Sequence, residues 1–220
     1  DWFVNWADFP SIIQLDDGTL AAHWLQRNGQ GTYAYGVRIA RSEDGGTTWS
    51  EPLTPHRDTS PAEHGSVTLY DAGEGVLGAV WLDGRKYAAG DEQMTLRHTT
   101  IDADGSLGVD AEVDARVCDC CQTSIARTSS GAVVFYRDRS EEEIRDIAAV
   151  SLTGGSWSEP TRVHADEWHI EACPVNGPKA DAQGDEVVLA WFTAANEQPR
   201  VNVAFSSDGG RSFEAPVRVD

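Results

Sequence analysis

Five carboxylic acids in this sequence stand beside basic or aromatic residues, where they are placed to act as general acids or bases. They are Asp8, Glu63, Asp83, Asp138 and Glu171. A side chain of this type catalyses a reaction by donating a proton to, or removing one from, the reacting group. These five residues are the candidate catalytic residues.

Basic and polar residues near the same points of the sequence are candidates for binding a substrate. They are Arg85, Arg137, Arg139, His64, His169 and Asn176. A guanidinium group binds a carboxylate through two parallel hydrogen bonds, so the three arginines suit an acidic ligand. The alternative is a solvated surface of Asp–Arg pairs, which contribute only about 0–1 kcal/mol each.

All four cysteines lie in two short stretches, at Cys118, Cys120, Cys121 and Cys173. Disulfides are the first interpretation, with Cys120 or Cys121 bonded to Cys173, and they indicate an exported protein. The second is a zinc or copper site formed by Cys120, Cys121 and Cys173 with His64. The third is buried free thiols. The spacing leaves all three open, and no other cofactor is expected.

A short turn occurs twice in the chain and indicates a repeat architecture. SEDGGTTW begins at Ser42 and SSDGGRSF begins at Ser206, with weaker copies at 151–157 and 99–105. The period of roughly 55 residues is typical of repeat folds. Short polar side chains and glycines favour a tight turn held by local hydrogen bonds. The residues assigned to this structural role are Ser42, Asp44, Gly46, Trp49, Ser206, Asp208, Gly210 and Phe213.

Four strands are predicted in each repeat, and they must position the candidate residues. Each repeat contains a β-rich run that ends on an aromatic residue, as at Trp24, Trp81, Tyr136 and Trp191. Four short strands per repeat indicate an all-β propeller of four-stranded antiparallel blades. The predicted blades are 8–55, 62–115, 117–164 and 171–220, in one propeller segment that covers 1–220. A β-sandwich is the alternative.

The register of the repeats predicts where the candidate residues lie. Phe9, His64, Cys121 and Cys173 take equivalent positions at the starts of the first strands, near 12–15, 67–69, 124–126 and 175–179. The arginines follow the second strands. We therefore expect the acids, arginines and cysteines to gather at one rim, at the opposite end of the sheets from the repeated turn.

The repeated turn is similar to the Asp-box of bacterial neuraminidases, and the chain resembles the sialidase-like family over nearly its whole length. The resemblance implies a six-bladed ring, of which this chain supplies four blades. It also implies a secreted or periplasmic protein. The implied activity is that of an exo-sialidase-like glycoside hydrolase, whose glycan substrate can be acidic. In that family an arginine before the sequence Ile-Pro binds the substrate carboxylate, but Asp8 stands at this place, before Phe9 and Pro10. The alternative is a non-catalytic propeller that binds carbohydrate or protein.

The overall charge limits the partners of the chain. There are 17 Lys and Arg residues against 36 Asp and Glu residues, a net charge of −19. Such a charge argues against nucleic acid and anionic membranes as partners. No apolar run has the length of a membrane span. We expect a glycan or small carbohydrate as the ligand, and a homodimer if the four-blade segment exists alone.

Overall fold

The regular secondary structure of the chain is almost entirely antiparallel β-strand, as predicted. The computed structural model describes residues 1–5 and 7–220. It divides into two compact units, unit 1 from Asp1 to Ala115 and unit 2 from Arg116 to Asp220. Four antiparallel sheets form these units, which confirms the predicted fold class. In the described part of the chain, no helix is both long and apolar enough to cross a membrane.

Unit 1 contains two sheets. The first has the order β1-β2-β3, with strands Ser11–Gln14, Leu20–Arg27 and Tyr35–Ser42. In place of a fourth strand, its outer strand β3 carries isolated bridges to Glu63 and Leu53. The second has the order β4-β5-β6-β7, with strands His64–Gly73, Val76–Asp83, Met94–Ile101 and Ala111–Val117. A one-turn helix, α1 at Arg85–Ala88, follows β5.

Unit 2 also contains two sheets. The first is formed by β8 to β12, at Ser124–Thr128, Gly131–Arg137, Ile147–Thr153, Ser156–Trp157 and Thr161–Arg162. Both of the two-residue strands pair with β10. The second has the order β13-β14-β15-β16, at Lys179–Gln183, Glu186–Thr193, Arg200–Ser206 and Val217–Arg218. A single 3-10 turn at Ala195–Glu197 follows β14.

The apolar core of each unit lies between its two sheets. In unit 1, Leu25 and Ile39 of the first sheet pack in one cluster with Leu77 of the second. In unit 2, Phe135 and Trp191 come from different sheets and share a cluster. The apolar runs of the strands that supply most of these side chains, β2, β3, β5, β9, β10 and β14, were visible in the sequence.

The first strand of the last repeat was predicted wrongly. We expected it near 175–179, but β13 begins at Lys179. Val175 has a φ of 59°, which interrupts extended backbone. Pro178 has no N–H to donate to a neighbouring strand. Cys173 therefore lies in the loop before the strand and not at its start.

The two close copies of the repeated turn have the same hydrogen bonds. Ser42 Oγ donates to Asp44 Oδ1 at 2.9 Å, and the Gly46 amide donates to Ser42 Oγ at 2.9 Å. In the second copy, Ser206 Oγ donates to Asp208 Oδ1 at 2.8 Å. Hydrogen bonds from the fourth residue after each aspartate, Thr48 or Ser212, lower the pKa of Asp44 and of Asp208 to about 2. Each aspartate is therefore an ionised brace for its turn.

The aromatic residues that end the two turns differ in their environment. Trp49 is 42% exposed, and its indole Nε1 donates to the Gly46 carbonyl at 3.2 Å. Phe213 instead meets Phe135 edge to face, with ring centroids 5.8 Å apart. Phe213 packs against the core cluster of unit 2.

Candidate functional site

The candidate residues of unit 1 lie around the beginnings of β3 and β4. Tyr35 and Glu63 form a parallel bridge, and Tyr35 Oη donates a hydrogen bond to Glu63 Oε1. The Gly84 amide, just after β5, donates to the Glu63 carbonyl at 2.7 Å. The repeated turn starts from Ser42, at the other end of β3. Within this unit, the candidate residues and the turn are at opposite ends of one strand.

Asp8 is a buried acid that a bulge in β4 holds in place. Its Oδ2 accepts a hydrogen bond of 2.6 Å from the Ser66 amide. The register of β4 shifts between Gly65 and Thr68, and Ser66 has a φ of 50°. Burial raises the pKa of Asp8 to about 6, against the lowering effect of the Ser66 and Phe9 amides. Asp8 therefore keeps its proton at mildly acidic pH.

Tyr35 holds the carboxylate of Glu63. The tyrosine is fully buried, and the ring of Phe3 stacks on it with centroids 3.8 Å apart. Burial, together with the negative charge of Glu63, raises the pKa of Tyr35. The phenol therefore stays protonated and remains a donor to Glu63, which is half-buried. Tyr35 was not among the predicted site residues, because its pairing with Glu63 depends on a contact across 28 residues.

Asp83 is an ionised structural residue. It is fully buried and accepts hydrogen bonds from Trp81 Nε1 at 2.8 Å and from Arg85 Nε at 2.7 Å. Burial alone would raise its pKa, but the bonds from Arg85 and Trp81 and the nearby His64 hold it below the ordinary value. Arg85 also forms an ion pair of 3.0 Å with Asp110. Asp83, a predicted catalytic acid, and Arg85, a predicted substrate-binding residue, therefore neutralise each other's charge.

His64 is fully buried among a backbone carbonyl, two carboxylates and a second histidine ring. Its Nδ1 lies 3.2 Å from the Tyr35 carbonyl oxygen, and its Nε2 lies 3.1 Å from Asp58 Oδ2 and 3.6 Å from Asp83 Oδ2. The ring of His56 stacks on it with centroids 3.9 Å apart. Burial is the main reason that the pKa of His56 is lowered to about 4, and the neighbouring His64 lowers it further.

Arg137 in unit 2 is buried and binds the backbone. Its guanidinium donates to the carbonyl oxygens of Asn176 at 2.9 Å, Arg145 at 2.6 Å and Phe192 at 2.7 Å. It also lies over the ring of Trp168, 4.9 Å from the centroid. Burial lowers its pKa to about 10. Arg137 and Asn176 therefore connect loops of unit 2, and we leave both out of the proposed substrate site.

The remaining candidates of unit 2 are at its surface or in ion pairs. Arg139 forms ion pairs with Glu143 at 2.9 Å and with Asp119 at 3.3 Å. The carboxylate of Asp138 accepts a hydrogen bond of 2.7 Å from the Arg139 amide. His169 and Glu171 are both exposed and lie in the loop before β13.

The family to which the chain belongs follows from its sequence as a whole. The BNR repeat-like domain matches residues 7–220. This chain is a member of the BNR repeat-like family. The resemblance to sialidase-like propellers is thereby confirmed, and solved sialidases are among its structural neighbours. No curated protein matches the sequence.

Three solved structures show the fold of this BNR repeat-like chain in other proteins. A Dyadobacter fermentans protein of unknown function has a TM-score of 0.65 at 16% identity, over 96% of this chain and 63% of that protein. The intramolecular trans-sialidase of Ruminococcus gnavus has a TM-score of 0.61 at 12% identity, over 96% of this chain and 70% of the other. An α-L-arabinofuranosidase of Fusarium graminearum has a TM-score of 0.60 at 14% identity, over 96% and 66%. The chain thus spans less than two thirds of the first of these proteins, and at these identities the likeness concerns the fold.

The cysteines of the BNR repeat-like chain form two disulfides in unit 2. Cys118 is bonded to Cys121 and Cys120 to Cys173, with Cα atoms 5.8 and 6.3 Å apart. The free-thiol interpretation is wrong, since none of the four cysteines is unbonded. The predicted bond from Cys120 to Cys173 is present, and the bond between Cys118 and Cys121 was not predicted. Disulfides are typical of extracellular proteins.

Proposed function

We propose that this BNR repeat-like chain belongs to a secreted glycoside hydrolase in which Asp8 and Glu63 are the catalytic acid and base. The observation that supports this most directly is that Asp8, a buried acid with a raised pKa, lies near Tyr35, the residue whose hydroxyl binds the Glu63 carboxylate. A Cβ atom placed on Gly65 would lie 2.1 Å from Asp8 Oδ2 and 3.0 Å from Tyr35 Cε2. Asp8 and Tyr35 therefore both approach the same face of Gly65.

The two carboxyl groups differ in the way that glycoside hydrolysis requires. One group must donate a proton to the oxygen of the leaving sugar, while the other attacks the anomeric carbon or activates water. Burial keeps Asp8 protonated up to a pH of about 6, which suits the first role. Glu63 takes the second role, and Tyr35 is a positioning residue that orients its carboxylate.

A neutral glycan suits the chain better than an acidic one. Arg85 and Arg139 are already in ion pairs with carboxylates, and Arg137 binds backbone carbonyls. The net charge of −19 repels an anionic ligand. The solved proteins of similar fold include both a trans-sialidase and an arabinofuranosidase, so this fold occurs in enzymes named for acidic sugars and in enzymes named for neutral sugars.

The ring and the location of the protein are part of the same proposal. The chain covers 63% of the length of the Dyadobacter protein and 70% of that of the trans-sialidase. We therefore expect further blades to complete a six-bladed ring. The two disulfides support export from the cytoplasm.

A panel of neutral and acidic aryl glycosides tests the proposal with the full protein. The wild type should cleave a neutral member, and Asp8→Asn and Glu63→Gln should each lower kcat/KM by about 100-fold or more. Glu51→Gln is the control, because Glu51 is an exposed acid beside the repeated turn. Equal activity in the wild type and both site variants would refute the assignment.

A non-catalytic carbohydrate-binding function is the second candidate. It is favoured by the burial of Tyr35 under Phe3 and by the low exposure of Asp8, at 9%. Binding to a glycan array without turnover of any member would select this function over hydrolysis.

A further inference from the structure

We propose that the four cysteines of unit 2 form a redox-gated site for a tetrahedral divalent metal ion of the zinc class. All four Sγ atoms lie within 4.8 Å of one another. A disulfide requires only that its own two sulfurs meet, so the clustering of both bonds at one point is a separate feature. Each disulfide would stabilise the fold even if the two bonds lay far apart.

The spacing of the sulfurs fits a tetrathiolate site. Zinc binds cysteine sulfur at about 2.3 Å in a tetrahedron, which places the sulfurs about 3.8 Å apart. The present spacing, within 4.8 Å, requires only small side-chain movements. Thiolates select soft or borderline ions such as Zn²⁺ over Mg²⁺ or Ca²⁺. Cys118 is essential to this set, and the whole set lies within one unit.

The charge of the surroundings also suits a metal thiolate. Four thiolates around a divalent ion carry a net charge of −2, which is costly to bury without a cation nearby. Arg145 is 3% exposed, and its Nη1 lies 3.6 Å from Cys118 Sγ. Glu143 holds the other side of the guanidinium at 2.8 Å. Arg145 is therefore placed to donate a hydrogen bond to a Cys118 thiolate, while Glu143 orients its guanidinium.

Exposure decides which disulfide a reductant reaches first. Cys173 is exposed and Cys120 half-buried, while Cys118 and Cys121 are buried. A thiolate of a dithiol attacks Cys173 Sγ, and Cys120 leaves as a thiolate. The second thiol of the reductant then closes its own disulfide and releases Cys173.

The same exchange opens the inner disulfide. The freed Cys120 thiolate, within 4.8 Å of the bond between Cys118 and Cys121, attacks Cys118 Sγ, forms a Cys118–Cys120 disulfide and releases Cys121 as a thiolate. A second dithiol attacks this new bond and closes its own disulfide, which leaves all four cysteines reduced. In total, two dithiols become two cyclic disulfides and transfer four electrons and four protons to the protein. Metal binding then releases the thiol protons.

Titration with Co²⁺ tests the site, because tetrahedral cobalt thiolates absorb strongly in the visible range. The full chain is reduced with dithiothreitol without oxygen, freed of reductant and titrated. We expect one Co²⁺ per chain with a tetrahedral spectrum, its displacement by Zn²⁺, and no such spectrum from the oxidised protein. Protein alkylated at its thiols is the control. An octahedral spectrum or no binding by the reduced chain overturns the proposal.

Two sets of variants separate a built site from incidental thiol binding. Cys118→Ser and Cys173→Ser should each lose the tetrahedral spectrum. Arg145→Gln should weaken Co²⁺ binding about tenfold and Arg145→Lys should restore most of it. If the reduced chain loses its β-sheet circular dichroism, Zn²⁺ should restore it. Failure of Zn²⁺ to do so, or equal binding by the cysteine variants, contradicts the proposal.

Discussion

Asp8 Oδ2 accepts a hydrogen bond of 2.6 Å from the Ser66 amide, across 58 residues of sequence. The bond joins the segment before β1 to the bulge at the start of β4. Ser66 has a φ of 50°, a strained conformation for a residue other than glycine. Bulges commonly direct a group towards an active site. In this chain, the bulge turns a backbone amide towards a buried acid.

Gly65→Ala should disturb Asp8 directly. The added Cβ would lie 2.1 Å from Asp8 Oδ2, so the carboxyl group must move. We expect loss of the Ser66 bond, a fall of at least about tenfold in kcat/KM, and a lower Tm by thermal unfolding.

Gly31→Ala is the control for this substitution. Its Cβ would meet Ala34 Cβ at 3.6 Å, an ordinary contact, so activity and Tm should stay close to the wild type. Wild-type activity in Gly65→Ala would show that the position of Asp8 is not important for the reaction.

Asp8→Asn should change the pH dependence of stability. The folded pKa of Asp8 is raised from 3.8 to about 6, so the wild type loses stability as pH rises through this window. Asparagine keeps an acceptor for Ser66 and carries no charge. The free energy of unfolding of the variant, minus that of the wild type, should rise by about 3 kcal/mol between pH 3 and pH 7. Urea unfolding at several pH values measures this difference, and a flat difference would contradict the burial of a protonated Asp8.

Arg137→Met should destabilise unit 2 rather than affect ligand binding alone. The substitution leaves the carbonyl oxygens of Asn176, Arg145 and Phe192 without their donor. We expect a loss of about 3–5 kcal/mol in the free energy of unfolding. Arg211→Met is the control, because Arg211 is exposed, and it should change stability by less than about 0.5 kcal/mol. Similar values for both variants would refute the structural role of Arg137.

Asp44→Ala and Asp208→Ala should have similar effects, because the two turns share one pattern of hydrogen bonds. Each substitution removes the acceptor for a backbone amide, from Thr48 or Ser212. We expect small decreases in Tm of similar size, and because each turn is held by its own local hydrogen bonds, the decreases should add in the double variant. Glu43→Ala, an exposed neighbour in the first turn, is the control. A decrease confined to one copy would show that the turns are not equivalent.

The repeats could be predicted from the sequence because their signals are local. Glycine and aspartate define the turn at Ser42–Trp49, and apolar runs define the middle strands. The outer strands were harder, because β11, β12 and β16 have two residues each and carry little pattern.

The candidate site was predicted only in part, because its contacts depend on long-range geometry. Asp8 and Glu63 were among the proposed acids, but the partnership of Glu63 with Tyr35 depends on how two sheets meet. The burial of Arg137 was missed for a similar reason: its three acceptors belong to backbone carbonyls, which leave no trace in residue types.

The assignment of Asp8 as the general acid is tested most directly by comparing two leaving groups. The dinitrophenolate group of a dinitrophenyl glycoside leaves without being protonated, whereas the alkoxide leaving group of an alkyl glycoside of the same sugar must receive a proton. We expect Asp8→Asn to lower kcat/KM at least about 100-fold on the alkyl glycoside and far less on the dinitrophenyl glycoside. Equal losses on both substrates, or no loss on either, would contradict it.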